Sequence, residues 1–312
     1  MNIEFNNFDE LLQAARGLST LPVAVVDAHE QHVLEGACEA AEAGFIDPIL
    51  IGHEGLIHNL LEKINPHADF PIIHAPTEEA AAEIGVGLIN DGKVKALMKG
   101  YIHTAKFLHP ILTHHLEGEQ RLSHVFLTDI KTYPKLLYIT DAAINITPDL
   151  LAKADIVRNA ADLAHLLGVE TPKVAALSAV EVINPAIPST IDAACLAKMA
   201  DRGQITGAIV DGPLAFDNAI SAESARIKGI RSDVAGDVDI LLVPDLVSGN
   251  ILGKDLEYLA GAQLAGFVAA SKVPIILTSR ADPPRARLVS CAVAALVSHR
   301  QGINAEGDSP AA

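Results

Sequence analysis

Four segments place glycine, hydroxyl or charged side chains directly after an apolar run, and these are where chemistry could sit. The first is Lys99-Gly100-Tyr101-Ile102-His103-Thr104. Its glycine permits close backbone approach, and a helix opening near His103 and Thr104 would offer free N–H groups to an anion. Lys99 adds a positive charge, although a plain strand-to-helix turn explains the same residues. The second is Val243-Pro244-Asp245-Leu246-Val247-Ser248-Gly249-Asn250. Asp245, Ser248, Gly249 and Asn250 are candidate ligand contacts there, or an ordinary N-cap. The third is Thr278-Ser279-Arg280-Ala281-Asp282-Pro283-Pro284. Arg280 can grip a phosphate in a bidentate way. Asp282 can accept a proton or cap the helix that the prolines suit. The fourth joins Asp211-Gly212 to Asp217-Asn218, where capping explains both carboxylates as well as a site would.

Other chemistries lack their residues. His103, His109, His114 and His115 fall close together, yet no H-E-x-x-H or similar ligand spacing occurs, so no metal is expected. There is no G-x-G-x-x-G after a strand, no G-x-x-x-x-G-K-[ST] and no G-x-S-x-G elbow, which removes the usual marks of hydride transfer, nucleotide hydrolysis and serine hydrolysis. The three cysteines, Cys38, Cys195 and Cys291, form no C-x-x-C pair and no disulfide framework. A net charge of −16 repels nucleic acid and anionic membranes, so any anionic ligand needs local basic contacts. The acidic start MNIEFNNFDELLQAARG is no signal peptide, no apolar run is long enough to span a bilayer, and a cytoplasmic location is expected.

The elements that must position these segments alternate from end to end. Aliphatic runs such as LPVAVVDA, DPILIG, KVAALSA, DILLVPD and VPIILTS are separated by Ala-rich stretches of helical length, among them 149–167, 188–202, 214–228, 249–265 and 284–299. That order predicts an α/β fold with mostly parallel sheets and helices on both faces. SHVFLTDI and LLYITD are separated by only five residues, too few for a parallel crossover of about a dozen, so an antiparallel hairpin is expected at 123–141. A domain junction is placed there: 1–132 plus 268–312 as one α/β domain and 133–267 as the other. The tail QGINAEGDSPAA reads as frayed.

Taken in order, KALMKGYIHTAKFL, RLSHVF, TDAAINITPDL, IVDGPLAFDNAIS, DVDILLVPDLVSGNILGK and PIILTSRAD resemble the phosphate acetyl/butyryltransferase family over nearly the whole chain. The RLSHVF, TDAAINI, DGPLAFDNA and LTSRAD segments resemble the butyryl enzymes most closely. The resemblance implies a fold like isocitrate/isopropylmalate dehydrogenases, with an active-site cleft between two domains and a homodimer or larger assembly. It implies reversible transfer of a short acyl group (butyryl, branched or acetyl) between coenzyme A and inorganic phosphate, with coenzyme A as substrate and no cofactor. Ser279-Arg280 matches the family's reacting serine-arginine pair, and Arg121 matches a further arginine. Lys99, His103, Thr104, Asp245, Ser248, Gly249 and Asn250 are expected to bind substrate, and Ser279, Arg280 and Asp282 to act on it. Two positions depart from the acetyl enzymes: His109 stands for an arginine before Pro110, and Ala286 falls near the place of a catalytic aspartate. The departures leave open a binding protein for acyl-CoA or acyl phosphate that has lost the chemistry, and the shared fold leaves open a metal-dependent decarboxylating dehydrogenase-like enzyme.

Overall fold

A computed structural model describes residues 4–307. The chain divides into two compact units. One comprises Phe8–Glu119 and the chain from Ala265 onward, and the other is built on Gln120–Leu264.

The first unit begins with α1 (Phe8–Ala15), β1 (Leu21–Val26), α2 (Gln31–Glu42), β2 (Ile46–Gly52), α3 (Glu54–Ile64), β3 (Ile72–His74), α4 (Glu78–Asn90), β4 (Ala96–Lys99) and α5 (Thr104–Thr113). The aliphatic runs become strands because they are buried. In β1 five of six residues are buried, and all of β4 is. β1 pairs in parallel with β2 and with β4, and β2 pairs in parallel with β3. Helix starts follow side-chain caps: Glu30 accepts from the Val33 N–H and Thr77 from the Ala80 N–H.

The second unit holds β5 (Ser123–Asp129), β6 (Leu137–Thr140), α6 (Leu150–Leu166), β7 (Lys173–Leu177), α7 (Pro188–Asp201), β8 (Ile209–Leu214), α8 (Phe216–Ile220), α9 (Ala222–Ile227), β9 (Ile240–Leu242) and α10 (Leu246–Tyr258). β5 and β6 form the expected antiparallel pair. β6, β9, β7 and β8 then run parallel, each beside the next. Phe126, Leu137, Ile139, Leu241 and Val243 belong to the buried core beneath them.

The chain closes with β10 (Gln263–Ala269), β11 (Ile275–Ile276) and α11 (Pro284–Gly307). β11 pairs in parallel with β4 and antiparallel with β10. Three element predictions change. The helix expected over 249–265 ends at Tyr258, and β10 follows, because GAQLAGFVAA is Ala-rich but six of the strand's seven residues are buried, and Phe267 and Val268 pair with β11. The helix expected over 214–228 is two short helices broken at Ser221, whose hydroxyl caps the second. α11 continues past the expected end at 299 to Gly307, and the tail beyond lies outside the described residues.

Candidate active site

In the first unit the parallel strands β1, β4 and β11 deliver their carboxyl ends side by side, the usual place for a ligand in an open α/β sheet. β1 runs into Asp27, β4 ends on Lys99, and β11 leads into Thr278–Asp282. Gly100 makes this crowding possible: a Cβ there would lie 2.3 Å from the Asp27 carbonyl oxygen and 2.5 Å from that of Val26. Lys99 is buried, and its ammonium donates to the carbonyls of Gly100 and Thr278 at 3.4 Å each. Burial first, then the positive charges of Arg280 and Arg287, push its pKa down from 10.5 to about 8, against the pull of Asp282 and Asp27. Burial raises the pKa of Asp27. Its Oδ1 lies 2.8 Å from His29 Nδ1, and its buried Oδ2 has no hydrogen bond.

The loop after β11 is tightly wound. The Ser279 N–H donates to Asp282 Oδ2 at 2.7 Å, and the Asp282 N–H returns to the Ser279 carbonyl at 3.2 Å. Ser279 is half-buried and Arg280 exposed, with its guanidinium 5.5 Å from the Tyr101 ring centroid. Asp282 is buried in this turn, where its carboxylate accepts from the Ser279 N–H. His103 is exposed at the N-cap of α5 and makes no side-chain cap bond, with Thr104 behind it.

The second unit gathers the other predicted residues at the carboxyl ends of β6 and β9. Asp141 is buried and accepts from the backbone N–H groups of His124, Ala143, Ile144 and Asn145, and from Asn145 Nδ2 at 2.6 Å. Asn145 Oδ1 in turn accepts from Arg121 Nη1 at 3.1 Å. Asn159 Nδ2 holds the Arg121 carbonyl at 2.8 Å. Asp245 caps α10 by accepting from the Ser248 N–H, and the Ser248 hydroxyl bonds back to it. Gly249 packs against the strand end: a Cβ would stand 2.7 Å from Val243 Cγ2 and 2.9 Å from the Asp141 carbonyl oxygen. Asn250 Nδ2 donates to the Ala142 carbonyl at 3.3 Å. Beside them opens a cavity of about 650 Å³, with Leu177, Val243 and Leu252 among its walls. Its wall also carries the Lys153–Asp192 ion pair, 2.6 Å apart.

Thus Lys99, His103, Thr104, Ser279, Arg280 and Asp282 share one unit, and Arg121, Asp245, Ser248, Gly249 and Asn250 share the other. Among the described residues, no group of three or more His, Cys, Asp or Glu side chains could hold a metal ion. His114 and His115 contact Glu83 and Glu117. In the fourth segment, Asp211 accepts from the next N–H, and Asp217 binds Ser224 and Lys228.

The profile of the phosphate acetyl/butaryl transferase family matches residues 55–295. The chain belongs to this family. It is 50% identical over 301 residues to a phosphate acetyltransferase of Rhizobium meliloti, covering 95% of each chain. It is 41% identical over 295 residues to a phosphate butyryltransferase of Clostridium acetobutylicum, covering 94% of this chain and 98% of the relative. A crystal structure of a branched-chain phosphotransacylase from Enterococcus faecalis superposes with a TM-score of 0.77 at 30% identity, covering 90% of this chain and 99% of that one.

Within this acyltransferase family fold, several residues that sequence reasoning passed over sit beside the predicted ones. Asp27 and His29 stand at the carboxyl end of β1 as Lys99 does at that of β4, but VVDAHE contains no glycine to draw attention to it. Asn145 lies in the TDAAIN segment, and only its bonds to Arg121 and Asp141 reveal a task. Arg287 is wholly buried in α11, where nothing in the sequence sets it apart from neighbouring Arg285. Ala286 is buried beside it and His109 is exposed on α5.

Proposed function

We propose that the protein transfers a short acyl group reversibly between coenzyme A and inorganic phosphate, acting on both in a ternary complex. The observation that carries this reading is the loop after β11, which presents Ser279 and Arg280 beside Lys99 at three adjacent strand ends. In the direction from acyl phosphate, a base takes the coenzyme A thiol proton, because the thiolate is the competent nucleophile. The thiolate attacks the acyl carbonyl, the bond from that carbon to the phosphate oxygen breaks, and phosphate leaves with the electron pair. Ser279 donates to the tetrahedral oxyanion, and Arg280 with Lys99 takes up the phosphate charge. Asp282, against the Ser279 N–H, is the nearest carboxylate to this serine's backbone and the first candidate base.

The second-unit residues Arg121, Asp245, Ser248, Gly249 and Asn250 are assigned to substrate binding, with His103 and Thr104 from the first. The cavity beside Leu177, Val243 and Leu252 suits an acyl-pantetheine arm in size and in apolar lining. Large apolar side chains left exposed in the same unit, among them Ile146, Leu151, Val182, Ile183, Val247 and Ile251, support a homodimer. A cytoplasmic location fits a chain in which no described helix is long and apolar enough to cross a membrane.

A thiol-release assay tests the reading. Purified protein is mixed with phosphate and acetyl-, propionyl- or butyryl-CoA, beside Ser279→Ala and Arg280→Ala. Release that needs phosphate and falls roughly a hundredfold or more in each variant is expected. The best acyl-CoA then names the chain length. No release with any acyl-CoA sinks the proposal.

A further inference from the structure

The Ser279–Asp282 loop contains an unusual imbalance. Three of its carbonyl oxygens turn to one side chain. Arg287 Nη1 donates to the Asp282 carbonyl at 2.5 Å, and Nη2 donates to the carbonyls of Ser279 at 3.0 Å and Arg280 at 3.4 Å. Arg287 is 0% exposed and heads the largest fully buried side chains. A buried guanidinium that bonds carbonyls in this number is a costly element to keep, and the backbone around it makes room. A Cβ on Gly36 of α2 would stand 2.7 Å from Arg287 Cβ and 3.0 Å from its Cδ.

We propose that Arg287 is the positioning residue of the reacting loop: it draws the carbonyls of Ser279, Arg280 and Asp282 inward, leaving the Ser279 hydroxyl and Arg280 guanidinium to meet the anionic reactants. The electrostatic reason is direct. A carbonyl oxygen turned toward a phosphate or a developing oxyanion repels it, and a donor there attracts it. Holding three carbonyls on the buried side removes that repulsion before substrate arrives. The Asp282 carboxylate, taken up by the Ser279 N–H, completes the turn from its other side. The role rests on the reading of Ser279 and Arg280 as the reacting pair; Arg287 touches no reactant and acts through them.

The test uses the full chain with Arg287→Met, Arg287→Lys and Gly36→Ala, after wild type and Ser279→Ala have been assayed for phosphate-dependent CoA release. Arg287→Met is expected to lower kcat by roughly a hundredfold, the scale of a small displacement of reacting groups. KM for phosphate rises, while KM for acyl-CoA stays within about threefold. Arg287→Lys, which keeps a cation with fewer donors, recovers part of the loss. Hydrogen exchange at the 279–282 amides quickens in Arg287→Met even where activity is not measured. If Arg287→Met does not fold, the same readouts are taken on Arg287→Lys and Gly36→Ala, which keep a cation at this place. Folded Arg287 variants with kcat within about threefold of wild type, or with exchange at 279–282 unchanged, overturn the proposal. An inactive wild type, or a Ser279→Ala variant as active as wild type, overturns the underlying reading instead; the exchange result then decides the loop's anchoring alone.

Discussion

Replacing Lys99 with methionine should make the protein more stable and less active. Lys99 is 3% exposed, and the two hydrogen bonds of its ammonium are long, 3.4 Å each. Burial and two neighbouring arginines bring its pKa from 10.5 to about 8 in the folded chain. Below pH 8 both folded and unfolded states carry the proton, so the full cost of burying the charge is present. Between pH 8 and 10.5 the unfolded chain keeps a proton that the folded chain has shed, and stability therefore rises with pH across that window. The difference between those pKa values is worth about 3 kcal/mol, at about 1.36 kcal/mol for each pH unit. Methionine keeps much of the volume and removes the charge. At pH 7 the variant should be more stable than wild type by up to about 3 kcal/mol, and the gain should shrink by about 1.4 kcal/mol per pH unit above pH 8. Urea unfolding of both proteins at pH 7, 8, 9 and 10 measures this, and the difference cancels groups that titrate alike in each. Phosphate-dependent CoA release by the same variant should fall, since a cation beside Arg280 is gone. A difference that stays flat from pH 7 to 10, or a variant less stable at pH 7, refutes the reasoning.

Two further outcomes follow from the second unit. Gly249→Ala inserts a Cβ 2.7 Å from Val243 Cγ2 and 2.9 Å from the Asp141 carbonyl oxygen. It should cost about 1–3 kcal/mol, read as a lower melting temperature in calorimetry; unchanged melting would show that α10 shifts freely. Asn145→Ala removes the acceptor for Arg121 Nη1 and a donor to Asp141 Oδ2. Stability should fall by about 1–3 kcal/mol, and KM for one of the two anionic substrates should rise about tenfold, as steady-state kinetics with each varied in turn will report.

The fold was legible wherever burial and composition agree. LPVAVV, ALMK and LYIT are aliphatic or buried on both faces, and each became a strand. The five-residue link after SHVFLTDI implied an antiparallel neighbour by reach alone, and β5 pairs with β6 in that sense. β10 was not legible. GAQLAGFVAA carries small residues that suit a helix as well as a strand, and pairing with β11, distant information for a local pattern, decides between them. Ser221 likewise broke a predicted helix because a hydroxyl cap competes with helix continuation, which periodicity does not register.

The site divides along the same line, between what a strand end announces and what only three dimensions supply. Ser279 and Arg280 are visible because polar groups directly after an apolar strand must face either solvent or a ligand. Arg287 obeys the opposite rule, an arginine inside a buried helix face, and its meaning lies in carbonyls five to eight residues back along the chain. This inner layer bears on the charge problem that the composition poses. A protein of net charge −16 has to hold anionic reactants, and its general field opposes them. Screening removes that field beyond roughly 8–10 Å in physiological salt, so the contest is settled at contact distance. There Lys99, Arg280 and Arg287 stand against Asp27 and Asp282; burial first, and after it the repulsion of the two arginines, lowers the pKa of Lys99. Cations buried and crowded to that degree are destabilising by themselves. An anion bound beside Lys99 and Arg280, as the proposed function requires, would offset that cost.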